Sequence, residues 1–234
     1  MLAASLGATT AIGAATLAYA VRAPRSSLLA PSIYRGTSGR RSIAITFDDG
    51  PSESTPALLE ILQRHRAAAT FFQVGANVRR LPSIAREVAS AGHEIGNHSN
   101  THPLLSMRSP AFIRQELQLA QETIEQHTST RPRLFRAPFG VRWFGLRGAQ
   151  KALGLTGVMW TVIGRDWKSD PDMVARRLLA NTTAGGIVCL HDGRETAVEP
   201  DIFVTLEAVR RVLPLWSEQG FAFETVSQLL CQTN

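Results

Sequence analysis

The chain of 234 residues has few cysteines, few aromatic residues and none of the common nucleotide-binding motifs. Its two cysteines, Cys189 and Cys231, have no C-x-x-C spacing, which argues against a structural zinc site built on thiolates. No G-x-G-x-x-G follows the first predicted strand and no G-x-x-x-x-G-K-[ST] occurs, so neither the dinucleotide fingerprint nor the P-loop is present. Aromatic residues make up 7%, whereas 44% hydrophobic and 19% charged residues are typical of a globular domain with a sizeable core.

Acidic residues are absent from the first 47 positions, which carry five arginines. These arginines account for most of the net charge of +6, so the remainder of the chain is close to neutral. A nucleic-acid-binding protein places its basic residues on the folded domain itself. We therefore expect no nucleic-acid partner.

Charged side chains are absent from residues 1–21, a length that can just span a bilayer as a helix. An A-x-A pattern at 18–20 fits signal-peptide cleavage, but the basic n-region is missing, and the following arginines favour a cytoplasmic flank. We expect a signal or membrane-anchor segment over 1–21, with anchoring through residues 2–21 and a location at the cell envelope. A cytoplasmic-side anchor and a disordered tail stay open. Residues 22–41 predict a linker, and residues 42–234 the folded domain.

Strand and helix patterns alternate from residue 42 onward, in about seven successive units. Such a succession indicates parallel strands joined by crossover helices, either in an open doubly wound sheet or in a closed barrel. The domain of about 190 residues is short for a complete eight-unit barrel. We therefore predict an α/β fold of the distorted (β/α)7-8 barrel type.

Polar side chains stand at the carboxyl ends of five predicted strands. They are Asp48 with Asp49, His98, Arg136, Asp166 and His191. In a βα barrel these strand ends meet on one face, where active sites are built. We therefore predict that the five positions converge on one site.

His98 and His102 are four residues apart, so that on one helical turn they would point the same way. Together with one strand-end carboxylate they make the three protein ligands of a catalytic zinc site, which leaves a fourth position to water. One residue of the Asp48–Asp49 pair would then ligate the ion, while the other takes the proton of that water. This pattern does not assign the two roles.

Arg136 can pair with the non-ligating carboxylate, and a backbone N–H after Pro138 can hold an oxyanion. His191 can act as a general acid, with Asp166 as the partner that keeps it protonated. Apolar side chains next to these groups predict a surface for a sugar ring or a small acyl group. They are Phe139, Trp167 and Leu190.

Five ordered blocks resemble the polysaccharide deacetylases with a NodB-homology domain, which form carbohydrate esterase family 4. The blocks are TFDDGP at 46–51, HSNTH at 98–102, RAPFG at 136–140, GRDW at 164–167 and LHDG at 190–193. The resemblance extends over about residues 42–230. It implies a distorted (β/α) barrel and an N-deacetylase that hydrolyses acetamide groups on N-acetylglucosamine-containing polysaccharide, either peptidoglycan or chitin-like oligomers.

The same resemblance implies the metal ligands and the base. Asp49, His98 and His102 would hold one divalent ion, with Zn2+ favoured over Co2+ or another transition metal. Asp48 would be the general base, and Arg136 would orient it.

The resemblance also implies the acid and the substrate pocket. His191 would protonate the leaving amine, with Asp166 tuning it. The backbone N–H of Phe139 would join the metal in holding the oxyanion. Trp167 and Leu190 would shape the pocket for the acetyl methyl group.

Two positions depart from the family pattern. Ile163 stands where many members have an aspartate, which weakens the support of Asp166. Phe139 stands where many members have tyrosine, so the backbone role is kept and the hydroxyl is lost. Neither position is a proposed ligand or the proposed base.

Other functions stay open from the sequence. Two histidines and one carboxylate also suit a non-haem iron oxygenase, in which Asp48 and His191 would have no clear purpose. A non-catalytic carbohydrate-binding protein on the same fold is a further alternative, although no catalytic position is substituted. Acetyl-xylan esters are a lesser candidate substrate.

Overall fold

The computed structural model describes residues 13–36 and 39–231. Within these residues, nine strands form one sheet. They are β1 (Ser32–Ile33), β2 (Ser42–Asp48), β3 (Ala69–Gln73), β4 (Glu94–Asn97), β5 (Leu134–Phe135), β6 (Thr156–Val158), β7 (Val162–Ile163), β8 (Ile187–His191) and β9 (Ala222–Phe223). The strand order is β1-β6-β5-β4-β3-β2-β8-β7, with β9 paired to β2, and all these pairings are parallel.

Helices connect the strands and cover the outside of the sheet. They are α1 (described over residues 13–22), α2 (Thr55–Arg64), α3 (Gly75–Arg80), α4 (Pro82–Ser90), α5 (Pro110–Thr128), α6 (Leu146–Leu153), α7 (Pro171–Asn181), α8 (Phe203–Glu218) and α9 (Val226–Leu230). Side-chain caps begin α5, α7 and α9: Ser109, Asp170 and Thr225 each accept a backbone N–H three residues ahead.

The parallel sheet curls into a partly open barrel whose edge strands are β1 and β7. The predicted distorted (β/α)7-8 barrel is therefore confirmed, and the doubly wound alternative is excluded. The carboxyl ends of β2, β4 and β8 lie on one side of this barrel, because neighbouring parallel strands run in the same direction.

Strand β2 pairs with three other strands, β3, β8 and β9, and all seven of its residues are buried. Ile43, Ile45 and Phe47 belong to the largest core cluster, which β2 shares with the surrounding helices. The alternate residues point to the barrel interior, where Thr46 and Asp48 lie. Both faces are covered, which explains why the strand is a continuous apolar run until its end.

The segment predicted as a linker, residues 22–41, is packed against the domain over much of its length. Its strand β1 pairs with β6, and Ala30 is fully buried. The buried guanidinium of Arg142 donates to the backbone carbonyls of Ala23 and Ser26. The linker interpretation is wrong for these residues, because their order comes from distant partners rather than from their own Pro-, Ser- and Gly-containing sequence.

The predicted apolar segment over 1–21 is described only in part. Residues 1–12 lie outside the described residues, and residues 13–22 are helical. No helix among the described residues combines the length and the hydropathy that crossing a membrane requires.

Arg142→Met tests whether the buried guanidinium holds the N-terminal arm, which we define as residues 21–36. The substitution keeps an apolar stem and leaves the carbonyls of Ala23 and Ser26 without their donor. Hydrogen bonds to charged groups contribute about 1.5–3 kcal/mol, so the arm should open about ten-fold more often or more. Limited trypsin digestion followed by mass spectrometry should show correspondingly faster cleavage after Arg22 and Arg25.

The matched control is Arg147→Met, since the exposed guanidinium of Arg147 bonds the same arm at the carbonyls of Ser27 and Leu28. We expect a much smaller change in cleavage rate. Equal cleavage rates for the wild type and Arg142→Met would show that the guanidinium of Arg142 does not hold the N-terminal arm in place.

Candidate active site

Asp48 and Asp49 reach one cavity because the chain turns between them. Asp48 ends β2, and Asp49 has a left-handed backbone with φ of 72°. This conformation costs a non-glycine residue about 1–2 kcal/mol. On a continued strand the two carboxylates would lie on opposite faces, whereas here both line the same cavity.

Two glycines allow the turns after β2 and β8 to pack against each other. A Cβ on Gly50 would lie 2.2 Å from Oδ2 of Asp192, and one on Gly193 would lie 2.3 Å from the carbonyl oxygen of Asp49. Both distances are far below van der Waals contact, so no larger residue fits. Asp192 joins the two turns, since its Oδ2 accepts the hydroxyl of Thr55 at 2.7 Å.

Asp49, His98 and His102 form a buried cluster. Oδ1 of Asp49 lies 3.0 Å from Nε2 of His102 and 3.3 Å from Nε2 of His98. Oδ2 of Asp49 accepts the backbone N–H of Glu195 at 2.9 Å. Burial by itself would raise the pKa of Asp49, but with no ion bound, hydrogen bonds donated by Nε2 of His102 and of His98 outweigh it and hold that pKa well below its usual value. Asp49 is therefore a carboxylate at neutral pH.

This cluster fits a divalent cation. Nδ1 of His98 lies 2.8 Å from the carbonyl oxygen of Arg136, which only accepts, so Nδ1 carries the proton and Nε2 of the neutral ring has a lone pair. In this neutral tautomer the lone pair, and not a proton, faces Oδ1 of Asp49, which then has no hydrogen-bond donor among the described residues. A cation between the three ligand atoms removes this repulsion. Two nitrogens and one oxygen suit both catalytic zinc and non-haem iron.

The two histidines meet on an irregular turn, and the helical turn that their spacing predicted is absent from residues 98–104. Ser99 and His102 have left-handed backbones, with φ of 67° and 56°. The carboxamide of Asn97 accepts the N–H of Ser99 at 2.8 Å, and the hydroxyl of Ser99 accepts the N–H of His102 at 3.1 Å. Side-chain hydrogen bonds thus aim both rings where we expected a helix to do so.

Arg136 and Cys189 hold the carboxylate of Asp48. Nη1 of Arg136 donates to Oδ1 at 2.7 Å, and the thiol of Cys189 donates to Oδ2 at 3.4 Å. Burial and then Asp48 raise the pKa of Cys189 well above its usual value, so the thiol keeps its proton. The guanidinium is fully buried, also donates to Thr46 at 2.6 Å, and lies 4.2 Å from the ring centre of Phe72. Removing one partner of such a pair typically costs about 3–5 kcal/mol.

His191 is paired with Asp166. Nδ1 of His191 lies 2.9 Å from Oδ1 of Asp166, whose Oδ2 accepts the backbone N–H of His191 at 3.0 Å and the hydroxyl of Thr205 at 2.7 Å. Burial by itself would lower the pKa of His191, but the carboxylate of Asp166 raises it to about 9. Burial would likewise raise the pKa of Asp166, but His191 keeps it below its usual value. The ring is an imidazolium at neutral pH, with Nε2 left to donate into the cavity.

The cavity above these residues has a volume of about 840 Å³. Phe139 and Trp167 form two of its apolar walls and are 51% and 46% exposed, enough to contact a ligand. Phe139 lies edge-on to His102 at 4.7 Å, and Trp167 lies edge-on to His191 at 5.0 Å. The structure thus brings the predicted ligands, base, acid and both aromatic residues to one cavity.

Leu190 is the exception. It is fully buried in the largest core cluster and does not line the cavity described here. Side chains alternate along β8, so Cys189 and His191 face the cavity while Leu190 faces the helices. The predicted pocket role of Leu190 is therefore wrong. The period of two, counted back from His191, would have pointed to Cys189.

Several charged residues that line the cavity were not predicted. They are Arg22, Arg165, Lys168, Arg194 and Glu195. Four of them stand within or next to the GRDW and LHDG blocks, so their closeness to these motifs could have indicated that they line the cavity. Arg22 gave no signal, because it reaches the cavity only through long-range packing of the N-terminal arm.

The protein-family model for polysaccharide deacetylases matches residues 35–158, which are more than half of the chain. The matched range contains Asp48, Asp49, His98, His102 and Arg136, while Asp166 and His191 lie beyond it. A chitooligosaccharide deacetylase from Bradyrhizobium sp. (strain ANU 289) is 35% identical over 205 residues, which cover 84% of this chain and 94% of that protein.

Two solved structures extend the comparison. A peptidoglycan N-acetylglucosamine deacetylase superposes with a TM-score of 0.80 at 27% identity, over 86% of this chain and 94% of the other. A CE4 family pseudoenzyme from Bacillus anthracis superposes with a TM-score of 0.77 at 31% identity, over 86% of this chain and 69% of the other.

His102→Ala tests the metal site by removing one nitrogen ligand. Loss of an outer partner of a ligand alone weakens metal affinity about 10- to 100-fold, so loss of a ligand should weaken it by more than about 100-fold. Elemental analysis after dialysis against a mild chelator should find about one divalent ion per wild-type chain and almost none in the variant. His127→Ala, on α5, is the matched control and should bind like the wild type. Full retention of the ion in His102→Ala would contradict the assignment.

Asp166→Asn tests the pairing that charges His191. In the metal-free wild type the ring should stay protonated below its folded pKa of about 9 and lose its proton above it. The stabilisation from this pair is thus fully present below about pH 6.5, the ordinary histidine pKa, and is lost as the pH rises through about 9. In Asp166→Asn the pKa of His191 should fall to or below the ordinary value. Nitrogen-15 NMR titration measures the pKa of His191 in the metal-free wild type and in Asp166→Asn, and Asp172→Asn is the surface control. An unchanged pKa would rule out Asp166 as the cause.

Proposed function

This chain belongs to the polysaccharide deacetylase family, and we propose that it hydrolyses the N-acetyl groups of N-acetylglucosamine-containing polysaccharide. The observation that carries the proposal is the presence of separate acid and base groups beside a site that fits a cation. A carboxylate oxygen of Asp48, the sulfur of Cys189 and a ring nitrogen of His191 lie within 4.8 Å of one another. One acetamide group can contact both the base and the acid at that separation.

Asp49, His98 and His102 are the residues that would hold the ion. When bound, a divalent ion supplies Lewis-acid polarisation and lowers the pKa of water. Three protein ligands of two histidines and one carboxylate suit catalytic zinc, and we propose zinc on this ground. An oxygenase would use the same ligands, but it would leave the paired Asp48 and His191 without a purpose.

Asp48 acts as the base in the proposed reaction. As the oxygen of water bonds to the carbonyl carbon of the acetamide, a carboxylate oxygen of Asp48 takes the proton that the water loses. Arg136 fixes the carboxylate by its 2.7 Å hydrogen bond, and Cys189 contacts the other oxygen. The backbone N–H of Phe139 is the proposed donor to the oxyanion that develops at the same time.

His191 acts as the acid that completes the reaction. The bond between the carbonyl carbon and the nitrogen breaks, and Nε2 of His191 gives its proton to that nitrogen, so that acetate and a free amine are formed. Asp166 keeps the imidazolium charged and orients it through Nδ1. Trp167 supports the sugar or the acetyl group from the side of the acid.

The substrate class follows from chemistry and from relatives. The reactive groups suit an acetamide, and the relatives are deacetylases of chitooligosaccharide and of peptidoglycan N-acetylglucosamine. A related chain is described as a pseudoenzyme, so the fold by itself does not imply turnover. What favours catalysis here is that Asp48, Arg136, Asp166 and His191 are all present and hydrogen-bonded.

Asp48→Asn is the decisive variant. General acid–base groups contribute about 10²- to 10⁴-fold to rate, so acetate release should fall by at least about 100-fold while the ion stays bound. Metal-reloaded wild type is assayed on peptidoglycan, chitin oligomers and acetyl-xylan, with elemental analysis of each variant. Asp172→Asn, which is on the surface of α7, should keep full activity.

Undiminished turnover by Asp48→Asn would contradict the role of the base. Binding of chitin oligomers by the wild type without any acetate release would instead indicate a non-catalytic carbohydrate-binding protein. Release from acetyl-xylan alone would indicate an esterase.

A further inference from the structure

Basic side chains outnumber acidic ones on the cavity wall once the catalytic groups are set aside. The lining cations are Arg22, Arg165, Lys168 and Arg194. Glu195 is the only acid among the described lining residues besides Asp48 and Asp49. Asp48 and Asp49 are buried and lie with Arg136 and with the two histidines, whereas Arg22, Arg165 and Lys168 are exposed, so the excess of positive charge lies at the exposed rim.

Three of these cations have no acidic partner among the residues that the structure describes. Within the described part of the chain, no carboxylate lies within 4.0 Å of the charged nitrogens of Arg22, Arg165 or Lys168. Arg194 differs, since it donates to the carbonyl of Gly193 and lies 3.8 Å from Oδ2 of Asp166. We define the anion rim as Arg22, Arg165 and Lys168.

The loop after β7 presents two residues of the rim. Arg165 has a left-handed backbone with φ of 59°, an uncommon conformation for a residue with a long side chain. The N–H of Lys168 donates to the carbonyl of Arg165 at 3.2 Å, which closes a tight turn between the two residues. Asp166, inside that turn, is fixed by its hydrogen bonds to His191. Arg165 and Lys168 are thus held beside Asp166, the partner of the proposed acid.

The N-terminal arm presents the third residue. Arg22 stands between two residues that Arg142 anchors: the carbonyl of Val21 accepts the N–H of Arg142 at 3.0 Å, and the carbonyl of Ala23 accepts its guanidinium. The backbone on both sides of Arg22 is therefore fixed. Residue 22 also precedes the range matched by the family, which begins at residue 35. Arg22 is an addition to the site from outside that match.

We propose that the anion rim binds a carboxylate of the substrate polymer, and this proposal rests on the function proposed above. A guanidinium binds a carboxylate through two hydrogen bonds, and a bound anion relieves the repulsion among the three cations. A neutral polymer of N-acetylglucosamine offers no such partner. The preferred substrate is therefore an acetamido-sugar polymer with carboxylates on the units next to the reacting sugar, as in the free lactyl groups of peptidoglycan strands that carry no stem peptide.

The test compares one polymer with and without its charge. Peptidoglycan glycan strands with free lactyl carboxylates are assayed beside the same strands after conversion of the carboxylates to methylamides. Each exposed ion pair contributes about two- to five-fold in binding, so the wild type should favour the charged strands by about ten-fold or more in kcat/KM. The preference should lie in KM and should weaken as salt is raised.

Variants of the rim identify the residues responsible. The double variant Arg165→Gln/Lys168→Gln should lose most of the preference, and Arg22→Gln should reduce it about two- to five-fold. Arg165→Lys keeps the charge and should keep most of the preference. Arg114→Gln, an exposed arginine on α5 away from the cavity, is the matched control and should keep the wild-type ratio.

The outcomes separate this proposal from the proposed function. Equal turnover of both strand types by the wild type would overturn the anion rim and leave the deacetylase function intact. If neither strand type releases acetate, calorimetric titration of the two strand types gives the same comparison without turnover. Selective binding would then support the rim while the deacetylase function fails, and equal binding would overturn the rim as well.

Discussion

The buried guanidinium of Arg136 joins the strands that build the site. It donates to Thr46 and Asp48 on β2 and lies over the ring of Phe72 on β3. It also donates to two backbone carbonyls at the end of β6, and its own carbonyl accepts Nδ1 of His98. A fully buried cation is stable only with such complete pairing. The positions of the proposed base and of one metal ligand therefore depend on the same residue.

Pairing of buried charges also explains why this cavity suits a divalent ion. Asp48 is matched by Arg136, and Asp166 is matched by the imidazolium of His191. Asp49 is left with two histidines, and in the neutral tautomer of His98 the lone pair of Nε2 faces Asp49 while the Nδ1 proton is donated to the carbonyl of Arg136. The buried site thus has one unmatched negative charge, and two positive charges placed there leave a net positive charge. That sign stabilises the oxyanion of an acyl-transfer transition state.

The sequence was sufficient for the features that depend on strand order and on strand ends. A succession of βα units requires parallel strands, and parallel strands bring Asp48, His98 and His191 to one side of the barrel. Features that depend on the local backbone conformation were harder to predict from the sequence. The sequence spacing of His98 and His102 suggested a helix, whereas Ser99 and its hydrogen bonds produce an irregular turn. No periodic pattern encodes such a turn.

Two errors have different physical origins. Leu190 was placed in the pocket because it adjoins His191, although side chains alternate along a strand and Cys189 shares the face of His191. That error could have been avoided from the sequence. The packing of residues 22–36 could not have been foreseen, because it depends on Arg142, more than a hundred positions away. Long-range hydrogen bonds to backbone carbonyls leave no trace in the composition of the segment that accepts them.

The interior and the rim of the cavity differ in what a substitution costs. Changing one partner of a buried ion pair such as Arg136 with Asp48 costs about 3–5 kcal/mol, which is a large part of a domain's stability of about 5–15 kcal/mol. Changing an exposed cation such as Arg165 or Lys168 costs less than about 1 kcal/mol. The residues of the proposed chemistry are thus held fixed by the fold, whereas the charge at the cavity mouth is free to vary. The N-terminal arm contributes Arg22 from outside the range that the family model matches. It thereby changes the charge at the cavity mouth and leaves the buried ion pairs Arg136–Asp48 and His191–Asp166 unchanged. Substrate preference in this chain can therefore change independently of the reaction that the interior performs.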